Sequence, residues 1–259
     1  MDAFTDTPFK GNPAGLCILE KELPEAVMQQ IATESNLPET AYLLEQDDGY
    51  SLRWFTPTSE LRLCGHGTLA TAHILWEKGL LDPSHTARFH TMSGPLTVIK
   101  KTEGIQMTFP AFSYQPEDLP AALLQGLGVE PVATVRAQDG RYLVEVAGEP
   151  SLRALQPDFA VLARYPSVVV TCRAGEGSPY DFLSRSFAAA HGVNEDPVTG
   201  SSHCVLVPYW AGKLHKKNFF AYQASQRGGE LLLELRDENV LIGGKAVTVL
   251  EGVFYLDQY

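Results

Sequence analysis

Two short segments of the chain carry residue types that hold anions or move protons. Cys64-Gly65-His66-Gly67 and Thr199-Gly200-Ser201-Ser202 each open an apolar stretch, ending at Trp76 and at Trp210. So few polar interruptions predict a buried helix with a Gly-rich start, rather than an amphipathic surface helix. A helix start presents unpaired backbone N–H groups and a partial positive charge, which attract carboxylates or phosphates. Gly65, Gly67 and Gly200 let a ligand come close to the backbone, and Ser201 adds a hydroxyl. Small residues at a helix start also serve tight packing alone, but two such starts in one chain favour a small anionic ligand.

Glu39 opens Glu39-Thr40-Ala41-Tyr42-Leu43-Leu44, where strand alternation sets Glu39, Ala41 and Leu43 on one face and Thr40, Tyr42 and Leu44 on the other. With the first face inward, Glu39 is a carboxylate at the rim of an apolar surface, the setting of a general acid/base. A glutamate at a strand start is otherwise ordinary solvated surface. Asp196 lies in Asn194-Glu195-Asp196-Pro197-Val198-Thr199, just before the second helix, and is either a site carboxylate or a turn residue. His66 either carries protons and orients a substrate or is simply hydrogen-bonded near a helix start. Cys64 is a thiol candidate, because a helix N-terminus lowers a thiol pKa, whereas a buried cysteine is usually inert. Cys64, His66 and His73 are close in sequence, but no second metal half follows and no metal is expected. The chain also lacks a Gly-x-Ser-x-Gly, a phosphate loop and a dinucleotide fingerprint, which sets aside hydrolase, ATPase and nicotinamide chemistry.

The elements that would position these residues repeat. Gly94 falls on Gly229, Leu96 on Leu231, Val98 on Leu233 and Glu103 on Glu238 at constant offset, and both copies read as strand, charged turn, strand. Arg53-Trp54-Phe55 resembles Arg185-Ser186-Phe187 at nearly that offset, and the two Gly-rich helix starts follow in turn. A further helix over Glu25 to Ser35 follows Pro24, with Val27, Ile31 and Ala32 on one side. Strands cluster instead of alternating strictly with helices, so the fold class is α+β. The expected architecture is two similar halves related by a pseudo-two-fold, each a curved, mostly antiparallel sheet wrapped around a central buried helix. The halves are set at 1–112 and 113–259, with the junction among Pro110, Pro116 and Pro120, and a ligand cleft is expected between them.

Composition narrows the classes further. Of 259 residues, 44% are hydrophobic and 20% charged, as in globular domains, and the net charge is −11. Such a surface repels phosphate backbones, and the one basic run, Lys213-Leu214-His215-Lys216-Lys217, reads as a solvated loop, so no nucleic-acid partner is expected. No apolar run reaches the roughly 20 residues of a membrane helix, so no membrane partner is expected. The N-terminus lacks the pattern of a secretion signal. Four scattered cysteines, Cys17, Cys64, Cys172 and Cys204, read as free thiols in a cytoplasmic protein.

Taken together, Asp2-Ala3-Phe4-Thr5, Gly11-Asn12-Pro13-Ala14, Asn36-Leu37-Pro38-Glu39-Thr40-Ala41, Arg53-Trp54-Phe55-Thr56-Pro57, Cys64-Gly65-His66-Gly67-Thr68, Glu195-Asp196-Pro197-Val198-Thr199-Gly200-Ser201 and Arg227-Gly228-Gly229-Glu230 resemble the PhzF family of phenazine-biosynthesis-like proteins. Their fold is shared with diaminopimelate epimerase. The resemblance implies a homodimer in which the last strand, within 246–259, crosses to the first half. It also implies a cofactor-free isomerase that moves a proton between carbons of a small carboxylate metabolite such as dihydro-hydroxyanthranilate. Carried over by motif, Glu39 is the acid/base, with His66 and Asp196 as polar partners. Gly65, Gly67, Gly200 and Ser201 hold the substrate carboxylate. Pro38 stands where the family commonly has Ser, and the first strand is short by family standards. The epimerase's second thiol is replaced by Asp196, while Cys204 lies inside the helix, which disfavours two-thiol epimerisation. A non-catalytic metabolite-binding or interaction protein and a Cys64-dependent racemase are the alternatives.

Overall fold

The repeat read from the sequence is a repeat of chain path. The computed structural model describes residues 1–256, which fall into two units: Met1–Thr108 with the chain from Gly243 onward, and Phe109–Ile242. In the first unit, Asn12–Leu19 runs parallel to Glu39–Gln46, which turns back antiparallel onto Gly49–Phe55. Gly49–Phe55 takes the short Glu60–Leu61 antiparallel and Ala87–Thr91 parallel, and Gly94–Lys101 then pairs antiparallel with Ala87–Thr91. The second unit follows the same sequence of pairings. Tyr142–Glu145 is parallel to Val168–Arg173, which is antiparallel to Phe182–Ala188. Phe182–Ala188 takes Val193–Asp196 antiparallel and Asn218–Gln223 parallel, and Gly229–Arg236 follows antiparallel.

The fold is thus α+β, with mixed sheets in which antiparallel pairs predominate. The unit boundary falls at Thr108/Phe109, and Ala246–Val247 pairs with Asp2–Ala3 inside the first unit.

Each unit buries one helix. Ten of the thirteen residues of Gly65–Glu77 are buried, too many for a surface helix and enough to make it the unit's core. His203–Leu214 is its counterpart, with Val205, Leu206, Val207 and Trp210 nearly inaccessible. Pro208 lies inside it and offers no N–H to the carbonyl one turn earlier; Cys204 O accepts from Phe112 N at 2.8 Å instead. The start of this second helix departs from expectation. Gly200–Ser202 forms a 3₁₀ turn and the α-helix begins only at His203. Thr199 O is the cause, since it collects the Ser202 N–H, the Ser202 hydroxyl at 2.8 Å and His203 Nδ1 at 2.9 Å, which tightens the turn.

The Glu25–Ser35 helix forms as read and covers the outer face of the first sheet. Val27, Met28, Ile31 and Ala32 pack on Tyr42 and Phe55, and the Tyr42 hydroxyl donates to Met28 O. Alternation then leaves Glu39, Ala41 and Leu43 on the face turned toward the central helix. The matching argininium clamps confirm the repeat at side-chain level. Arg53 makes a two-pronged ion pair with Glu60 at 2.6 and 2.8 Å and Arg185 with Glu195 at 2.7 and 2.9 Å, each fixing the short strand that leads to a Gly-rich turn.

Candidate functional site

Glu39 owes its place to the end of the helix before it. Asn36 takes the left-handed conformation at the helix C-cap, a role asparagine tolerates, with its N–H on Ala32 O at 3.1 Å. Pro38 forbids further helix and extends the chain, so the strand opens at Glu39, beside Ala14. His66 comes from the first turn of the central helix. Cys64 caps that helix, its Sγ accepting from Gly67 N at 3.3 Å, and Thr68 Oγ1 donates to Cys64 O at 2.6 Å. Gly67 leaves room for both neighbours, since a Cβ would stand 3.0 Å from Cys64 Sγ and from the Trp54 ring.

These elements bring three chemical groups together. His66 Nε2 lies 2.7 Å from Glu39 Oε2, and beyond this contact that buried oxygen has no hydrogen-bonding partner among the described residues. Cys64 Sγ lies 3.7 Å from His66 Nδ1 and 3.9 Å from Nε2. Asn12 Nδ2 is 3.3 Å from His66 Nδ1 on the other side of the ring. Gly11 makes this reach possible: at φ +65°, with Ala3 O 2.1 Å from where a Cβ would be, only glycine fits before Asn12.

Burial works against an imidazolium, yet the anionic neighbours outweigh it and hold His66 well above its ordinary value. Burial also pushes the Cys64 thiol up, and the influence of Cys64 and then of Glu39 on the ring is what raises His66. His66 and Glu39 therefore form a buried pair able to share and pass one proton. His73, grouped with Cys64 and His66 by spacing alone, points elsewhere, with Nε2 3.4 Å from Glu77. Glu39 takes its place beside the thiol and imidazole. Glu39, Cys64 and His66 each offer a donor atom within 4.8 Å of the others, the set that could hold a metal ion.

Asp196, Gly200 and Ser201 gather in the second unit. Thr199 Oγ1 donates to Asp196 Oδ2 at 2.6 Å, so Asp196 does act as a turn residue. Buried Gln223 ties strand to turn, donating to Asp196 O at 2.7 Å and accepting from Thr199 N at 2.9 Å. Exposed Ser201 receives a hydrogen bond from Arg141 Nη2 at 3.2 Å, and Arg141 also pairs with Asp139 at 2.7 Å. Asn12 had been visible only as part of a motif, while Gln223 and Arg141 carry no local sequence signal. The basic run is not all loop, since Lys213 and Leu214 end the second central helix, and within the run Lys213 pairs with Glu145 and Lys216 with Asp181. Among the described residues no helix is long and apolar enough to cross a membrane.

The same fold and much of the same sequence recur in known proteins. An uncharacterised isomerase of Halalkalibacterium halodurans is 47% identical over 259 residues, covering 99% of this chain and 97% of its own. A crystal structure of a phenazine biosynthesis protein of the PhzF family from Enterococcus faecalis superposes with a TM-score of 0.94 at 40% identity, covering 98% of this chain and 97% of that one. A predicted epimerase of Pseudomonas aeruginosa, at 21% identity, shares the fold with a TM-score of 0.70 over 94% of this chain and 93% of that one. The profile of the PhzC-PhzF phenazine biosynthesis-like proteins matches residues 1–252, a span that takes in both central helices and every residue of the Glu39–His66 cluster, and the chain belongs to that family.

Proposed function

We propose that the protein is an isomerase that moves a proton between carbons of a small carboxylate-bearing substrate, with Glu39 as the acid/base. The observation that carries this is the buried Glu39–His66 pair, 2.7 Å apart at the first turn of a core helix. A carboxylate whose partner imidazole is held in its protonated range can accept a proton from carbon and return it at a second carbon. With its amide turned to present oxygen, Asn12 accepts from Nδ1 of the protonated ring on its far side, so that Nε2 stays on Glu39. The route needs only side chains and therefore no cofactor. Isomerase names among the relatives support the reaction class.

Gly65 supplies backbone at the helix start, the buried Gly67 shapes it with its N–H on Cys64 Sγ, and Asp196, Gly200 and Ser201 are assigned a second polar contribution that Asp196→Asn tests. The racemase reading has less support, because the Cys64 thiol is pushed up by burial and Cys204, inside its helix, is pushed up to about 12. A homodimer follows from the family resemblance and is tested by light scattering on the purified protein.

The decisive experiment is proton exchange in deuterated water, with dihydro-hydroxyanthranilate and a panel of cyclic and amino-acid carboxylates followed by NMR. Exchange at a carbon-bound hydrogen that disappears in Glu39→Gln supports the assignment. Full exchange in Glu39→Gln removes Glu39 from the role. Specific binding without exchange across the panel points to a non-catalytic metabolite-binding protein.

A further inference from the structure

We infer that Glu39, Cys64 and His66 form a three-donor site for a borderline-soft divalent cation, with zinc the best fit, and that its occupancy switches the isomerase off. Among the described residues this is the one place where three such donors converge. The donor types are those zinc prefers, one thiolate sulfur, one imidazole nitrogen and one carboxylate oxygen. The donors, all within 4.8 Å of one another, seat a tetrahedral ion by side-chain adjustment. Ligand atoms of such an ion sit roughly 3.2 to 3.8 Å apart, given bonds of about 2.0 to 2.3 Å. Cys64 Sγ, 3.7 Å from Nδ1 and 3.9 Å from Nε2, turns off the Gly67 N–H toward Nε2 to reach such an ion, and the 2.7 Å Glu39–His66 contact opens by about half an ångström.

Two further features favour an ion here. Glu39 Oε2 is buried and, apart from His66, has no partner. His66 also has a polar side chain behind it. When Nε2 binds metal, Nδ1 must carry the proton, and Asn12 at 3.3 Å accepts it once its amide turns to present oxygen. Three protein ligands leave a fourth position for water. The exchange balances: the thiol proton and the Nε2 proton of the imidazolium leave to solvent, the cation takes the freed sulfur and nitrogen electron pairs, and no redox change occurs.

Binding does not depend on the proposed reaction, but inhibition rests on it. The ion would occupy the same Glu39 oxygen and His66 nitrogen that proton transfer needs. Cobalt is the probe, because a cobalt–thiolate bond absorbs in the near ultraviolet. Titrating cobalt into the full-length, chelator-treated protein should give one ion per chain and a sulfur-to-cobalt band. Cys17→Ser should keep the band. Cys64→Ser, which retains a capping oxygen, should abolish it, and Glu39→Gln should weaken binding at least tenfold. Zinc should displace cobalt and bleach the band. Binding without that band, or a band that survives Cys64→Ser, overturns the site. Where exchange activity is found, stoichiometric zinc should abolish it and a chelator restore it; zinc-loaded protein with full activity overturns the switch. Because the band is read without substrate, a failure to find turnover leaves the metal result standing on its own.

Discussion

His203 couples the stability of the second unit to acid. Its ring is fully buried in the first turn of the second central helix, with Nδ1 on Thr199 O at 2.9 Å and Nε2 buried without a hydrogen-bonding partner. Burial is the main cause lowering it from 6.5 to about 4; the Thr199 carbonyl resists that shift and the Arg141 charge adds to it. The folded value lies below the unfolded one, so on acidification the unfolded chain takes up the proton first. Stability held above 6.5 is lost as pH falls toward about 4. The whole effect is about 3 kcal/mol, of which about 2 kcal/mol goes between about pH 7 and about pH 5.

His203→Asn keeps a donor for Thr199 O and removes the titration. Urea unfolding of both proteins at about pH 7 and about pH 5 gives a difference of differences in which every other titrating group cancels. Trp210, in the same helix and 1% exposed, reports this unit by fluorescence. The wild type should lose about 2 kcal/mol more than the variant on acidification. Parallel losses in the two proteins would show that His203 does not titrate as a buried, unaccompanied imidazole.

Other substitutions test the framework. Gly67→Ala pushes a methyl against Cys64 Sγ and the Trp54 ring at 3.0 Å, and should cost about 1 to 3 kcal/mol in urea unfolding with loss of Trp54 burial by fluorescence. Gln223→Leu strips Asp196 O and Thr199 N of their partner and should cost about 1 to 3 kcal/mol, whereas a neutral outcome would show that the turn holds itself. Leu69→Ala empties the fully buried middle of the first central helix and should cost about 2 to 5 kcal/mol in the same assay. A thiol reagent should react slowly with the native protein at neutral pH and release all four thiols on denaturation, since three are buried and Cys17, half-buried, is raised to about 11. Fast reaction of Cys64 in the native state would reopen the thiol route.

Local spacing alone determined the class and the repeat. Alternation and turn residues placed the strand pairs around Glu103 and Glu238, Pro24 and the apolar spacing placed the Glu25–Ser35 helix, and uninterrupted apolar runs marked the two core helices. These signals survive because the period of a strand or helix is written in neighbouring residues. Glu39, Cys64 and His66 were legible as candidates for the same reason, each marking the start of an element.

Their union was not. Asn12 reaches His66 from 54 positions away, and only the strand pairing that seats Asn12 opposite Ala3 makes that contact. The exchange of His73 for Glu39 beside the thiol depended on which sheet face the Glu25–Ser35 helix covers. The tight turn at Gly200 came from His203 and Ser202 both drawn to one carbonyl, a competition that no periodicity records. The order of donors along a chain fixes which groups are available, but burial and register decide which of them meet, because those depend on contacts between segments that the local sequence does not encode.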